Sequence, residues 1–345
     1  MTDAIDNEGK TNMSHLVFDV SKHVKDELYK SLFTRDITVN EMLYVLDYGG
    51  GKGEDLHTIC LLHKKIHLTV VEPNVLSRTT YLERYDRMKR TVVDDPIQMI
   101  EFLDFDPYTK KMESYSTLIQ KSSFPHHVFD LIFCHMSFSS AFQTDQTLSF
   151  GCHNAFRFLK PGGRLVVFDF IPEKVRTFRH SEYSDKDSSG FSYNLTEGEN
   201  KKDHLVPEAI WGVHIPSFSS PLFCFYFANE SEKQNFFFLS FSALCSAMKQ
   251  NGVVPLQLRK DNVLDLSPCD EIRMTSVEDL FAWFTREEDS SSLGTRMKNV
   301  SQAMEEASKK LKRYEIEHDV LSFDLSILLN MIGFAVFEKK YGGVL

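Results

Sequence analysis

The chain has 345 residues, 42% of them hydrophobic, which is enough to bury a full core without metals or disulfides. Its formal net charge of −10 argues against a surface built for general adhesion to DNA or membranes, although a local basic patch is enough to hold a phosphate backbone. The six cysteines form no C-x-x-C pair and no close Cys/His cluster, so they predict reduced thiols and no metal site. Residues 1–13 are polar and acidic, so we expect a disordered leader there and a protein of the nucleus or cytoplasm, neither secreted nor membrane-bound.

Alternating helices and strands are predicted over the first half of the chain. Apolar residues repeat every four positions from about Val20 to Phe33, which predicts an amphipathic helix. Strands are then predicted at 43–46, 66–71, 99–105, 128–134 and 164–168, with helices after the first strand, at 76–90 and at 143–158. This alternation predicts an α/β fold built on a doubly wound, mostly parallel sheet.

The rhythm changes after Pro172, where a polar stretch rich in Ser, Asp and Lys begins. We predict a single domain over 14–345 with a substrate-side insertion at about 173–235. Later elements are predicted as strands at 210–215, 222–227 and 333–338 and as helices at 237–250, 276–287 and 297–316.

A glycine-spaced loop follows the first buried strand, in the segment V-L-D-Y-G-G-G-K-G-E-D-L that runs from Val45 to Leu56. Its glycines, Gly49, Gly51 and Gly53, would let the backbone turn tightly and approach a ligand without a clash at Cβ. The spacing G-x-G-x-G is not the G-x-G-x-x-G of a dinucleotide site, and Lys52 is followed by glycine, so it is no phosphate-binding P-loop.

Acidic side chains stand at the ends of three successive predicted strands. Asp47 closes the first strand and Glu72 the second, where an acid clamps ribose hydroxyls. Asp104 or Asp106 ends the third, where an adenine amino group would be read. A surface acid after a strand is ordinary, but three in series beside a glycine loop favour a nucleoside-containing cofactor.

These features, with the L-K-P-G-G turn before the fifth strand, resemble class I S-adenosylmethionine (SAM) dependent methyltransferases, whose sheet is seven-stranded and Rossmann-like. The segment from Val45 to Leu56 is closer still to V-L-D-L-G-C-G-K-G-G-D-L of the mRNA cap guanine-N7 methyltransferases. Residues 84–89 resemble the R-Y-x-x-M-K of that family, and residues 129–163 match its fourth strand, helix and turn without a gap. The resemblance covers roughly residues 20–340 and is more specific in the first half.

Carried over by position, this resemblance implies SAM as the cofactor and a set of residues around it. Lys25 matches the lysine at the cofactor's carboxylate end, and His135 stands where the family has a glutamine lining the cofactor. In the glycine loop, the resemblance implies that Gly49, Gly51 and Gly53, with Asp47 before them, contact the cofactor. It also implies that Glu72 binds the ribose hydroxyls and that Asp106 contacts the adenine.

The chain departs from the family in the pocket that holds the cap. Ser139, Ser140 and Phe142 fall on the family motif H-Y-S-F, so serines replace its His and Tyr, and Phe236 falls on the glutamate that grips guanine. An alternative register reads residues 134–138 as a shifted copy of that motif. Stacking on a base could come from Phe138, Phe142 or Phe236, because any aromatic face holds a base.

The resemblance therefore implies an enzyme of mRNA capping and processing that binds capped RNA and methylates N7 of its guanine. Because N7 carries a free lone pair, transfer needs proximity and orientation rather than a catalytic base. Two alternatives remain: a SAM methyltransferase acting on another RNA or a small molecule, and a catalytically silent subunit of a capping complex.

Overall fold

The structure is a computed structural model. It describes residues 13–33, 41–63, 65–91, 94–109, 129–138, 141, 145–171, 194–197, 211–214, 235–237, 241–260, 264–269, 274–280, 302, 305, 309 and 332–340.

The first half of the described chain alternates between helices and strands. In order it contains α1 (Met13–Phe33), β1 (Leu43–Tyr48), α2 (Leu56–Cys60), β2 (Ile66–Val71), α3 (Val75–Thr91), β3 (Ile97–Leu103), β4 (Phe129–His135), α4 (Asp145–Arg157) and β5 (Leu159–Phe170). The second half contains β6 (Asn194–Glu197), β7 (Trp211–His214), β8 (Asn235–Phe237), α5 (Phe241–Gln250), β9 (Val253–Lys260), β10 (Leu264–Pro268), β11 (Thr275–Ser276) and β12 (Ile332–Lys339).

One nine-stranded sheet organises the fold, in the order β10-β9-β12-β5-β4-β1-β2-β3, with β11 paired to β12. The strands from β3 across to β5 are parallel, and β12, β9, β10 and β11 join antiparallel. The predicted doubly wound, mostly parallel α/β class is confirmed. Among the described residues the sheet has nine strands where seven were expected, because β10 and β11 are added to the five parallel strands, β12 and β9.

The parallel strands are apolar because layers pack on both of their faces. All six residues of β2 are buried, and β1 and β4 are buried at most positions. The core on one side of the sheet joins β4 and β5 to α4 and α5 through Phe129, Phe156, Leu165 and Leu244. This packing fixes the strand ends, from which the candidate site is built.

Several predicted boundaries differ from the structure. Strand β3 ends at Leu103, two residues earlier than predicted, so Asp104 and Asp106 lie in the loop after it. Strand β5 includes the glycine turn before it, because Gly162 adopts a φ of 79° and the register with β4 shifts there.

The later predictions need more correction. Residues 235–237 form β8, so the predicted helix at 237–250 begins only at Phe241. The helix predicted from about residue 276 begins at Val277, because Thr275 and Ser276 pair with β12, and its residues after Leu280 lie outside the described residues. The strand predicted at 222–227 lies outside the described residues, as do most of the helix predicted at 297–316 and residues 1–12 of the predicted leader, whereas Met13 starts α1.

Strands β6, β7 and β8 pair antiparallel in a separate three-stranded sheet. Their residues lie within, or just beyond, the insertion predicted at about 173–235. Among the described residues, no helix combines the length and the apolar character needed to cross a bilayer.

Candidate functional site

The strand order reverses between β1 and β4, because β2 and β3 are added on one side of β1 and β4 lies on the other. In doubly wound sheets, ligands bind beyond the carboxyl ends of the strands at such a reversal. The glycine loop after β1 lies there. Gly49 N and Gly50 N both donate to Val71 O, at 2.9 and 3.2 Å, so the loop is tied to the end of β2.

The glycines of this loop have different surroundings. A Cβ on Gly49 would lie 2.5 Å from Ser137 Cβ, and one on Gly50 would lie 2.5 Å from Val70 Cγ1, so packing excludes side chains at both. A Cβ on Gly51 would meet no heavy atom within 4 Å, although Gly51 has a φ of +52°. Gly51 therefore borders open space in the middle of a tightly packed loop.

The carboxylate of Glu72 lies beside that open space and binds the loop. Its Oε2 accepts a hydrogen bond from Gly51 N at 2.9 Å, and its Oε1 accepts one from Asn74 N at 2.8 Å. Burial raises the pKa of Glu72, although the two backbone donors partly offset this effect. Each carboxylate oxygen keeps a further lone pair, so Glu72 can still accept from a ligand hydroxyl.

Asp47 lies beneath the loop. Its side chain is buried, and Tyr81 on α3 donates its hydroxyl to Asp47 Oδ2 at 2.9 Å. Burial and then the charge of Asp55 raise the pKa of Asp47 to about 7. A Cβ on Gly50 would lie 2.9 Å from Asp47 Oδ2, so this carboxyl supports the loop from below.

The two acids after β3 differ in their contacts. Asp104 has a 71% exposed side chain that pairs with Arg78 at 2.7 Å. Asp106 Oδ1 accepts from Tyr108 N at 2.9 Å, and Asn154 of α4 donates to Pro107 O at 2.7 Å, which ties the turn to the core. The structure thus holds Asp106 in an ordered turn, and its predicted contact with adenine stays a prediction.

Lys25 and His135 converge on Asp55, the residue before α2. Asp55 Oδ1 contacts Lys25 Nζ, and Asp55 Oδ2 lies 2.7 Å from His135 Nδ1. His135 Nε2 is 2.6 Å from the hydroxyl of Tyr29, which also stacks on Phe133. We call Lys25, Tyr29, Asp55 and His135 the Asp55 cluster.

The electrostatics of the Asp55 cluster follow from its depth. Burial alone would raise the pKa of Asp55, but His135 and Lys25 outweigh it and hold that pKa well below its usual range. Burial lowers the pKa of His135, and Asp55 offsets only part of this effect. The cluster therefore contains an ionised Asp55 paired with Lys25.

Sequence reasoning missed Asp55 and Tyr29. Asp55 directly follows the glycine loop, and Lys25 and Tyr29 share one face of α1 because they are four residues apart. That spacing was the available signal, but nothing in the sequence shows that this face meets the end of β4.

The residues after β4 test the prediction that Phe138 stacks on a base in the cap pocket. Phe138 is fully buried against Tyr48 and Tyr108, so the expectation that it stacks on a base is wrong. Ser137 Oγ donates to Tyr48 O at 2.6 Å and closes the loop against β1. Ser139, Ser140 and Phe142 lie outside the described residues, and the backbone of Phe236 pairs with Val213 in the small sheet.

No family model matches the sequence, and no curated protein matches it significantly. Solved structures with a similar fold include a SAM-dependent methyltransferase from Methanosarcina mazei, with a TM-score of 0.39, 15% identity and coverage of 64% of this chain and 88% of that one. The plantazolicin methyltransferase BamL, solved with S-adenosylhomocysteine (SAH), has a TM-score of 0.40 and 12% identity, with 94% and 86% covered. The cyclase SpnF has a TM-score of 0.42 and 12% identity, with 93% and 82% covered.

The strand reversal, the open face of Gly51 and the carboxylate of Glu72 together define the candidate site.

Proposed function

We propose that this protein is a SAM-dependent methyltransferase whose cofactor lies on the glycine loop. One observation carries the proposal: Gly51 borders open space while its amide is held by the carboxylate at the end of β2. A glycine loop that leads into a helix gives a ligand close access to backbone, and an adjacent carboxylate suits a ribose diol.

The chain supplies a binding group for each part of such a cofactor. Glu72 would accept the ribose hydroxyls, Asp106 would receive the adenine amino group, and Lys25 would face the amino-acid end. When bound, SAM supplies a methyl group activated by its sulfonium. The protein's own task is to hold an acceptor in line with that methyl group and to exclude water.

For the acceptor we propose N7 of the guanine cap of mRNA, with capped RNA as the partner. The support is the sequence resemblance at the loop, at residues 84–89 and through the fourth strand. N7 has a free lone pair, so the site needs no general base. Two alternatives are retained, because serines replace the His and Tyr of the cap motif. The first is methyl transfer to another RNA or to a small molecule, and the second is a catalytically silent subunit of a capping complex.

A transfer assay separates these alternatives. The protein is incubated with labelled SAM and, in parallel, with GpppA-capped RNA, uncapped RNA or GTP. Label on the capped guanine alone supports the cap proposal, and label on another acceptor supports a different substrate. SAM binding without transfer supports the silent subunit, and absence of SAM binding contradicts the whole proposal.

The glycine loop can be tested with a matched control. Gly51→Leu places a side chain in the open space, so we expect SAH affinity to fall by at least about tenfold. Gly252→Leu is the control, because Gly252 also has a positive φ and open space around Cβ but lies in the turn between α5 and β9. Both variants pay a similar backbone strain of about 1–2 kcal/mol. Equal SAH affinity in the two would overturn the loop assignment; calorimetry measures it.

A further inference from the structure

The turn after β3 is held in the core by one aromatic side chain. Tyr108 is 8% exposed, and its ring meets the rings of Tyr48 and Phe138 edge-on, with centroids 5.8 and 6.2 Å away. Aromatic pairs of this kind hold their rings in defined orientations. The backbone of Tyr108 is therefore fixed by the packing of its own side chain.

The carboxylate of Asp106 takes its orientation from that backbone. Its Oδ1 accepts a hydrogen bond from Tyr108 N at 2.9 Å, and the residue between them is Pro107, whose ring restricts φ. A displacement of Tyr108 would therefore turn this carboxylate. Because a carboxylate offers about four lone-pair sites, Asp106 can accept from a ligand amino group while it keeps the bond to Tyr108.

The middle of α4 leaves room for the Tyr108 ring because Gly151 has no side chain. A Cβ at this position would lie 3.0 and 3.1 Å from two ring atoms of Tyr108 and 3.2 Å from Ala141 Cβ. An alanine would therefore press against the ring and shift it by a few tenths of an ångström. Glycine destabilises a helix interior relative to alanine, and close packing with Tyr108 is the reason that the structure gives for a glycine here.

A second residue of α4 holds the same turn by a hydrogen bond. Asn154 lies three residues after Gly151, on the same side of the helix, and is fully buried. Its Nδ2 donates to Pro107 O at 2.7 Å. A buried carbonyl that loses its donor is costly, so this contact opposes any movement of the turn away from α4.

We propose that Gly151 and Asn154 are positioning residues for Asp106, through which α4 determines how strictly the site recognises the amino group of adenine. The inference rests on the proposed function, in which Asp106 receives that group. A hydrogen bond weakens steeply as its angle departs from linear, so a small rotation of the carboxylate is enough to weaken it. The other parts of the cofactor meet other residues, so α4 variants should lose selectivity for the base more than they lose binding.

Calorimetry with two ligands tests this role: SAH, and its analogue in which unsubstituted purine replaces adenine. We expect the wild type to prefer SAH by about 10- to 100-fold, the range for a hydrogen bond to a charged group. Asp106→Ala should abolish this preference. Gly151→Ala and Asn154→Leu should each reduce it to about threefold or less.

The preference is a ratio within one variant, so a smaller folded fraction does not imitate its loss. The two α4 variants disturb the turn differently, one by adding a methyl group and the other by removing a donor. Asn251→Leu is the matched control, because Asn251 Nδ2 also donates to a backbone carbonyl at 2.7 Å, that of Ala247, but in the turn after α5. It should keep the full preference.

The outcomes separate the proposed function from the role of α4. If wild-type protein binds no SAH, the proposed function is wrong and the positioning role falls with it. If SAH binds but the wild type does not prefer it to the purine analogue, or Asp106→Ala keeps the preference, the positioning role is wrong while the proposed function stands. The same holds if Asp106→Ala loses the preference and both α4 variants keep it. Loss in the α4 variants with Asn251→Leu unchanged supports the inference.

Discussion

At the scale of single residues, the carboxyl group of Asp47 is the most perturbed acid beneath the glycine loop. Its pKa is raised from 3.8 to about 7, first by burial and then by the charge of Asp55. Between pH 4 and 7 the folded chain therefore binds a proton at this group that the unfolded chain has already released. This contribution favours the folded state at low pH and is lost as pH rises through 7.

Asp47→Asn should remove that dependence. Asparagine keeps an oxygen for the Tyr81 hydroxyl but has no charge to bury, so the free energy of unfolding should fall less between pH 5 and 8 than in the wild type. The difference should be on the order of 2 kcal/mol, measured by urea unfolding at both pH values. Tyr81→Phe should make the free energy of unfolding fall more between pH 5 and 8 than in the wild type, because the lost hydroxyl stabilises the ionised form of Asp47. Equal slopes in wild type and Asp47→Asn would mean that Asp47 is already ionised at pH 5.

The sequence predicted the residues of the loop better than their partners. The glycine spacing predicted Gly49 and Gly51, and the position at the end of a strand predicted Glu72. Both are local features of the sequence. Asp55 meets Lys25 and His135 through contacts between α1, α2 and β4, and no local pattern reports such an encounter. Phe138 was misjudged for the same reason, because its burial depends on Tyr48 and Tyr108.

At the scale of elements, α1 is fastened to the site by polar groups on one face. Lys25 and Tyr29 reach Asp55 and His135, and Asp26 Oδ1 accepts from Thr58 Oγ1 at 2.5 Å. The helix therefore depends on buried hydrogen bonds as well as on apolar packing. Loss of one such bond should loosen α1 before it affects the sheet.

Tyr29→Phe tests this attachment. The ring and its stacking on Phe133 remain, but His135 Nε2 loses its hydrogen-bond partner, so the fold should be destabilised by about 1–3 kcal/mol. Hydrogen exchange should accelerate in α1 more than in β2. Tyr48→Phe is the control, because the Tyr48 hydroxyl donates to Gly151 O at 3.1 Å and so fastens α4 instead. Unchanged exchange in α1 would mean that apolar packing alone holds the helix.

The bounds of a strand or helix were predicted correctly where burial alone determines them. The bounds of β2 match the prediction because all six residues are buried, which makes one continuous apolar run. The β9–β10 hairpin was missed because its strands join the antiparallel side of the sheet, where pairing with β12 rather than an obvious apolar run defines them. Phe237 was assigned to a helix because the apolar run from Phe236 continues into α5.

At the scale of the whole molecule, the sheet is completed by the last described strand of the chain. Strand β12 lies between β5 and β9 and pairs antiparallel with both, and its first six residues are buried. Arg164 of β5 and Glu338 of β12 add an ion pair at 3.1 Å across this junction. The parallel strands therefore present an unpaired edge at β5 until β12 is in place.

A chain that ends at Met331 should therefore fail to unfold as one cooperative unit. Without β12, the edges of both β5 and β9 lose their partners, and the apolar side chains that β12 buries leave the core. Thermal unfolding followed by circular dichroism should give a broad or absent transition, and the truncated protein should aggregate, since exposed strand edges pair with other chains. A chain ending at Lys340 keeps β12 whole and should unfold in one sharp transition. If the shorter chain also unfolds sharply and binds SAH, the parallel strands fold without β12, and the antiparallel strands are an addition to a self-sufficient cofactor site.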